Sequence, residues 1–133
     1  VGAVFAAGLA YLSARGDIPR EFTLVPAPTR PRSARARGGD PVAAVCHTAA
    51  QLQRVGVCAA LSMGQSTADQ SELNAQDRWA NLQGRVRVHA PIARAPALLA
   101  DDVVTTGATL AASIAALQAA GVEVCGALVF ADA

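Results

Sequence analysis

A chain of 133 residues and 13.5 kDa, 53% hydrophobic and only 16% charged, carries enough apolar material for one packed core and excludes a largely disordered protein. A net charge of +1 excludes a strongly polybasic or acidic chain. The positive charge is unevenly placed, though: every cation apart from the two histidines is Arg, and Arg30, Arg32, Arg35 and Arg37 fall within one acid-free octet.

The opening VGAVFAAGLAYLSA predicts a helix over 2–15. It lacks a basic leader and is too short to cross a bilayer, so no membrane partner is expected. EFTLVPAP reads as a short strand stopped by Pro26 and Pro28, and TRPRSARARGG as a basic loop. In DPVAAVCHTAAQLQRVG, Asp40 suits an N-cap, Pro41 the first helical position and Gly56 the C-terminal stop. A second strand is expected at 57–62. The polar stretch 63–83 has no sustained apolar period and is expected to be a long loop or short mobile helices; a loop of that length inside a domain is usually functional or disordered.

A further strand is expected at 85–89 or 97–100, with an irregular connection between the two segments. ATLAASIAALQAAG then places Leu110, Ile114 and Leu117 on one helical face, with Gly121 as its stop. EVCGALVFA is the last strand. Strands alternating with helices predict an α/β fold of one domain over 1–133, a parallel sheet flanked by helices, with ligands beyond the carboxyl ends of the strands.

Cys46, Cys58 and Cys125 are odd in number and show no zinc-ligand spacing. They read as buried free thiols of a reduced, cytoplasmic compartment. His47 and His89 also lack ligand spacing and read as structural or surface residues, and Trp79 reads as a local packing anchor.

The stretch with most chemistry is LLADDVVTTGATL, 98–110. Leu98 to Ala100 read as a buried strand, with Asp101 and Asp102 emerging at its carboxyl end. Adjacent carboxylates repel unless something bound between them offsets the repulsion. Thr105, Thr106, Gly107, Ala108 and Thr109 then turn into a helix, offering backbone N–H groups, hydroxyls and the positive end of the helix dipole to an anion. Carboxylates suit vicinal hydroxyls or a divalent cation rather than phosphate. A phosphate, a diol and a metal-binding diphosphate occur together in 5-phosphoribosyl 1-pyrophosphate.

The motif resembles the phosphoribosyl-pyrophosphate signature of type I phosphoribosyltransferases: a strand, two acids and TTGxT. Two more stretches resemble the competence protein F (ComF) family of that fold. Its VPxP strand with spaced arginines is matched by Val25, Pro26, Pro28, Arg32, Arg35, Arg37 and Gly38, while Gly39, Asp40 and Pro41 stand where the family has Phe, Asn and Gln. Its QxxLxxxxRxxN pattern is matched by Gln70, Leu73, Arg78 and Asn81. The family's N-terminal zinc-ribbon has no counterpart here.

The resemblance implies a type I phosphoribosyltransferase-like fold with a flexible hood at 63–83. It implies Mg²⁺ as cofactor and 5-phosphoribosyl 1-pyrophosphate as the small-molecule partner. Thr105 to Thr109 would take the 5-phosphate, and Asp101 and Asp102 the ribose hydroxyls and, indirectly, the metal. Thr29, Arg30, Arg32, Arg35 and Arg37 would take pyrophosphate, to which guanidinium groups offer planar paired donors. Gln70, Arg78 and Asn81 would close and brace the hood.

The implied activity is pentosyl transfer to a nitrogenous acceptor, without a side-chain general base. The alternative is a non-catalytic nucleotide-binding or DNA-uptake-associated protein using the same pocket. Nucleic acid is the weaker partner, through phosphate contacts of the arginine loop, and a homodimer is compatible with the sequence.

Overall fold

The structure, a computed structural model, describes residues 2–28, 41–64, 86–90, 92, 95–104 and 107–132. In chain order its elements are α1 (Gly2–Arg15), β1 (Thr23–Pro26), α2 (Pro41–Gln53), β2 (Gly56–Val57), β3 (Leu61–Met63), β4 (Val86–Val88), β5 (Ala97–Val104), α3 (Ala108–Ala119) and β6 (Val124–Asp132). A four-stranded sheet runs β2-β1-β5-β6 with all its pairs parallel, and β3 and β4 form a separate antiparallel ribbon.

Side-chain alternation on β1 and β5 divides the core into two layers. Leu24, Leu98 and Ala100 pack on one face with Phe5, Ala6 and Leu9 of α1 and Val42, Cys46, Ala49 and Ala50 of α2. Val25, Ala97 and Leu99 pack on the other with Ala112 and Leu117 of α3 and Leu61, Met63 and Val86 of the ribbon. Leu110 and Ile114 join this second cluster, as the helical period predicts. The β1–α2–β2 unit steps one way along the sheet and β5–α3–β6 the other. Right-handed crossovers in opposite directions put their helices on opposite faces, and α2 and α3 do lie on opposite faces.

The first and third helices end in the same wrap, which returns two N–H groups to the last turn. Gly16 N donates to Ser13 O and Asp17 N to Leu12 O, while Gly121 N donates to Gln118 O and Val122 N to Leu117 O. Both glycines are left-handed, at φ 77° and 80°. In α2 the corresponding residue is Arg54, at φ 57°, followed by Val55 N donating to Ala50 O. The expectation that Gly56 closes α2 is therefore corrected: Arg54 makes the turn and Gly56 already pairs with Thr23 in β2. A side chain in this conformation costs about 1–2 kcal/mol. Arg54→Gly should accordingly raise stability by about 1 kcal/mol in urea denaturation; a loss of stability would contradict this account of the turn.

Two other expectations change. The strand expected at 57–62 divides, because only Gly56 and Val57 lie beside β1 while Leu61 to Met63 leave for the ribbon. Leu61 and Met63 are buried and Ser62 is exposed, a period-two pattern that makes Met63 part of a strand rather than the start of the hood. The two alternatives for the later strand are both realised, 86–88 in the ribbon and 97–104 in the main sheet.

Pairing between β5 and β6 slips once, from Ala97↔Val124 to Leu98↔Gly126, leaving Cys125 as an extra residue in β6. Without that residue, alternation from Val124 would turn Leu128 toward α3. With it, Leu128 packs against the α1–α2 layer. The Cys125 thiol donates to Ala97 O at 3.4 Å. Burial, and to a lesser degree the Glu123 carboxylate, push this thiol above its ordinary value of 9.0, against a backbone hydrogen bond that lowers it. Its contribution to stability is complete below the ordinary thiol range and is lost as pH rises through the raised value. Cys125→Ala should therefore flatten the alkaline side of the stability–pH profile, and an unchanged slope would rule this contribution out.

The three cysteines form no disulfide; Cys46 is buried, whereas Cys58 and Cys125 are only partly so. Among the described residues no helix is long and apolar enough to cross a membrane.

Candidate functional site

The sheet ends in steps on its carboxyl side. On the β2 side, pairing with β1 stops at Leu24↔Val57, with one further bond from Cys58 N to Leu24 O. Between β1 and β5 it stops at Pro26↔Ala100, closed by Ala27 N donating to Ala100 O at 2.7 Å. Between β5 and β6 it continues through Asp101↔Val129 and Val103↔Ala131 to Val104↔Asp132. The strand was expected to end at Ala100, with the acids emerging beyond it. It continues to Val104 because β6 is long enough to keep pairing, so Asp101 to Val104 project about 13 Å beyond the end of β1. Asp101 and Asp102 thus lie in the part of β5 that runs on along β6 beyond the last β1 pair.

Pro26 explains how β1 stops without cost. Thr23 N and Ala27 N donate toward β5, so the alternate residues Leu24 and Pro26 face β2. At Pro26, β2 has already ended, and a missing N–H there leaves no acceptor unpaired. Ala27 and Ala100, each 1% exposed, are buried at the step, Ala100 within the α1–α2 layer.

This step lies between β1 and β5, where the connections leave in opposite directions along the sheet and to opposite faces. In open α/β sheets that switch point is where ligands bind. Asp101 is half-buried and shares the α3 side of β5 with Ala97 and Leu99 by strand alternation. Asp102 is placed by its backbone within β5.

The turn from β5 enters α3 through Gly107, left-handed at φ 78°, ψ 3°, and no side-chain hydrogen bond caps the helix there. A Cβ built on Gly107 would meet nothing within 4 Å. The glycine therefore serves the backbone angle rather than a tight contact within the protein. Gly107→Ala should cost about 1–2 kcal/mol in thermal unfolding without disturbing the packing; a neutral result would contradict a need for this angle. Ala108 and Thr109, both half-buried, form the first turn, and Thr109 O accepts from Ser113 Oγ at 2.7 Å. The dipole and first-turn amides of α3 face the carboxyl end of the sheet.

The ribbon places both ends of the polar stretch. Met63 and Val86 are directly paired, and both are buried against the α3 layer. Met63 and Val86, on either side of that stretch, thus lie together on the side of the sheet that carries α3.

Of the expected site residues, Asp101 and the backbone of Asp102 lie in β5, and Gly107, Ala108 and Thr109 lie at the start of α3. Thr29, Arg30, Arg32, Arg35, Arg37, Gln70, Arg78, Asn81, Thr105 and Thr106 lie outside the described residues, as does Asp40. His47 and His89 are exposed, as surface residues would be. Among the described residues no group of three or more His, Cys, Asp or Glu side chains is placed to hold a metal ion.

Fold and site together define an α/β protein with a four-stranded parallel sheet flanked by helices, whose strand pairing ends in steps at its switch point. No protein-family model matches the chain, and no curated protein matches it.

Proposed function

We propose that the chain is a phosphoribosyltransferase-like protein of the ComF type, which binds 5-phosphoribosyl 1-pyrophosphate with Mg²⁺ at the β1/β5 switch point and transfers phosphoribose to a nitrogenous acceptor. The observation that carries this reading is the stepped end of the sheet. It sets two carboxylate-bearing residues on the projecting part of β5, one short turn before a glycine-started helix.

Each part of the ligand then has a partner of suitable chemistry. The amides and hydroxyls of 105–109 take the 5-phosphate at the start of α3. Asp101 and Asp102 accept hydrogen bonds from the ribose hydroxyls. The loop leaving β1, with Thr29, Arg30, Arg32, Arg35 and Arg37, takes the diphosphate. As the bond from ribose C1 to the leaving diphosphate oxygen breaks and the bond to nitrogen forms, positive charge grows on the ribose and negative charge on the diphosphate. The acids offset the first and the arginines the second. The hood that the resemblance implies at 63–83, with Gln70, Arg78 and Asn81, would close over the ligand and exclude water.

Oxygen donors of this kind suit Mg²⁺, which supplies charge stabilisation on the diphosphate. With only two adjacent carboxylates offered, the ion would arrive on the diphosphate and meet Asp101 and Asp102 through water.

Calorimetric titration with 5-phosphoribosyl 1-pyrophosphate and Mg²⁺ tests the reading, with saturable one-to-one binding as the expected result. No binding overturns it. Pyrophosphate release in the presence of pooled purine, pyrimidine and pyridine acceptors tests transfer. Binding without release assigns the pocket to a nucleotide-binding protein instead.

A further inference from the structure

We propose that the open edge of β6, together with the adjoining flank of α1, binds a second copy of this chain across a twofold axis. The sheet has two edges of different character. β2 is two residues long, whereas β6 runs for nine, from Val124 to Asp132, and among the described residues nothing pairs with its outer side. Between Val124 and Ala131 the strand carries neither a charged residue nor a proline. Charges and prolines are among the usual means of keeping a long edge from recruiting another strand, and the bulge at Cys125 lies at the start of the strand, before 127–131.

The backbone groups that face outward follow from the ladder. Thr23 N bonds Pro96 O and Ala27 N bonds Ala100 O, so the even-numbered residues of β5 face β1 and the odd-numbered residues face β6. In a parallel pair the residue directly opposite an inward-facing one turns its own N–H and C=O away. Ala127 opposite Leu99, Val129 opposite Asp101 and Ala131 opposite Val103 therefore present their donors and acceptors at the free edge.

A second observation falls on the same side of the molecule. A Cβ on Gly8 would lie 3.8 Å from Leu128 Cδ2, so the Gly8 row of α1 overlies β6. Val4 and Tyr11, four residues before and three after Gly8, belong to that row. They are 71% and 59% exposed, two of the three large hydrophobic side chains most open to solvent among the described residues. Tyr11 is held in place: its hydroxyl accepts from Arg15 Nη1 at 2.8 Å, the guanidinium lies 5.4 Å from the ring centre, and Arg15 Nε reaches Asp17 Oδ2 at 3.0 Å.

A twofold axis normal to the sheet satisfies both features at once. It sets β6 antiparallel to its copy in one continuous eight-stranded sheet, and it brings the two α1 helices together on the same face, with Val4 and Tyr11 of each meeting the other. Such a contact is self-complementary and closed. The edge of nine residues runs for about 30 Å. The two ligand crevices then open at opposite ends of the assembly.

Sedimentation velocity at micromolar concentration tests this. The unaltered chain should sediment at twice 13.5 kDa. Ala127→Pro removes only an outward N–H, and the pair Val4→Glu with Tyr11→Glu sets like charges against each other across the axis. Each change should weaken self-association at least tenfold and leave circular dichroism and the melting temperature in place. An unaltered chain that is monomeric, an open-ended polymer, or a dimer that survives both changes overturns the proposal. If Ala127→Pro fails to fold, the α1 pair decides alone.

Discussion

Leu99→Ala lowers the free energy of unfolding by about 2–5 kcal/mol. Leu99 is 0% exposed and central to the layer formed by Val25, Met63, Val86, Ala112 and Leu117. Its neighbours come from β1, β5, α3 and the ribbon, so they cannot all move into the space left by the missing side chain. A large part of an ordinary domain's stability rests on that one position. Urea denaturation gives the number directly, and a loss below about 1 kcal/mol would contradict a close-packed layer beneath β5. Because this layer also fixes the ribbon against α3, the substitution should make residues 65–85 more susceptible to proteolysis.

The second large effect is on binding. Asp101→Asn with Asp102→Asn should weaken 5-phosphoribosyl 1-pyrophosphate binding by more than about 100-fold, since each charge-assisted hydrogen bond contributes about 1.5–3 kcal/mol. The melting temperature should barely move, because both residues stand beyond the Pro26↔Ala100 step, where β1 no longer covers the sheet. Binding within threefold of the unaltered protein would sink the assignment of these acids to the ribose. A parallel collapse of stability would mean that they serve the fold instead.

The layers were legible in the sequence because their signals are periodic. Leu110, Ile114 and Leu117 mark the buried side of α3 at helical spacing, and Pro41 and Gly121 mark helix ends by their backbone limits. Signals that depend on a neighbouring strand were not legible. Nothing within ALLADDVV says that β5 pairs past Ala100, because that depends on the length of β6. The extra residue at Cys125 likewise appears only when alternation in β6 is compared with β5. Gly56 looked like a helix stop because glycine commonly is one, yet an arginine took the left-handed position two residues earlier. The motif that defines the candidate site was readable as a strand, two acids and a turn. The step beside it, Pro26 to Ala27 against Ala100, needed the register.

The central claim is that the crevice between β1 and β5 seats a phosphoribosyl diphosphate. A crystal of the protein soaked with 5-phosphoribosyl 1-pyrophosphate and Mg²⁺ tests it most directly. The account predicts the 5-phosphate against the amides of 107–109 and the ribose hydroxyls within hydrogen-bond distance of Asp101 and Asp102. Ligand bound elsewhere, or a crevice that stays free of it at saturating concentration, would contradict the account.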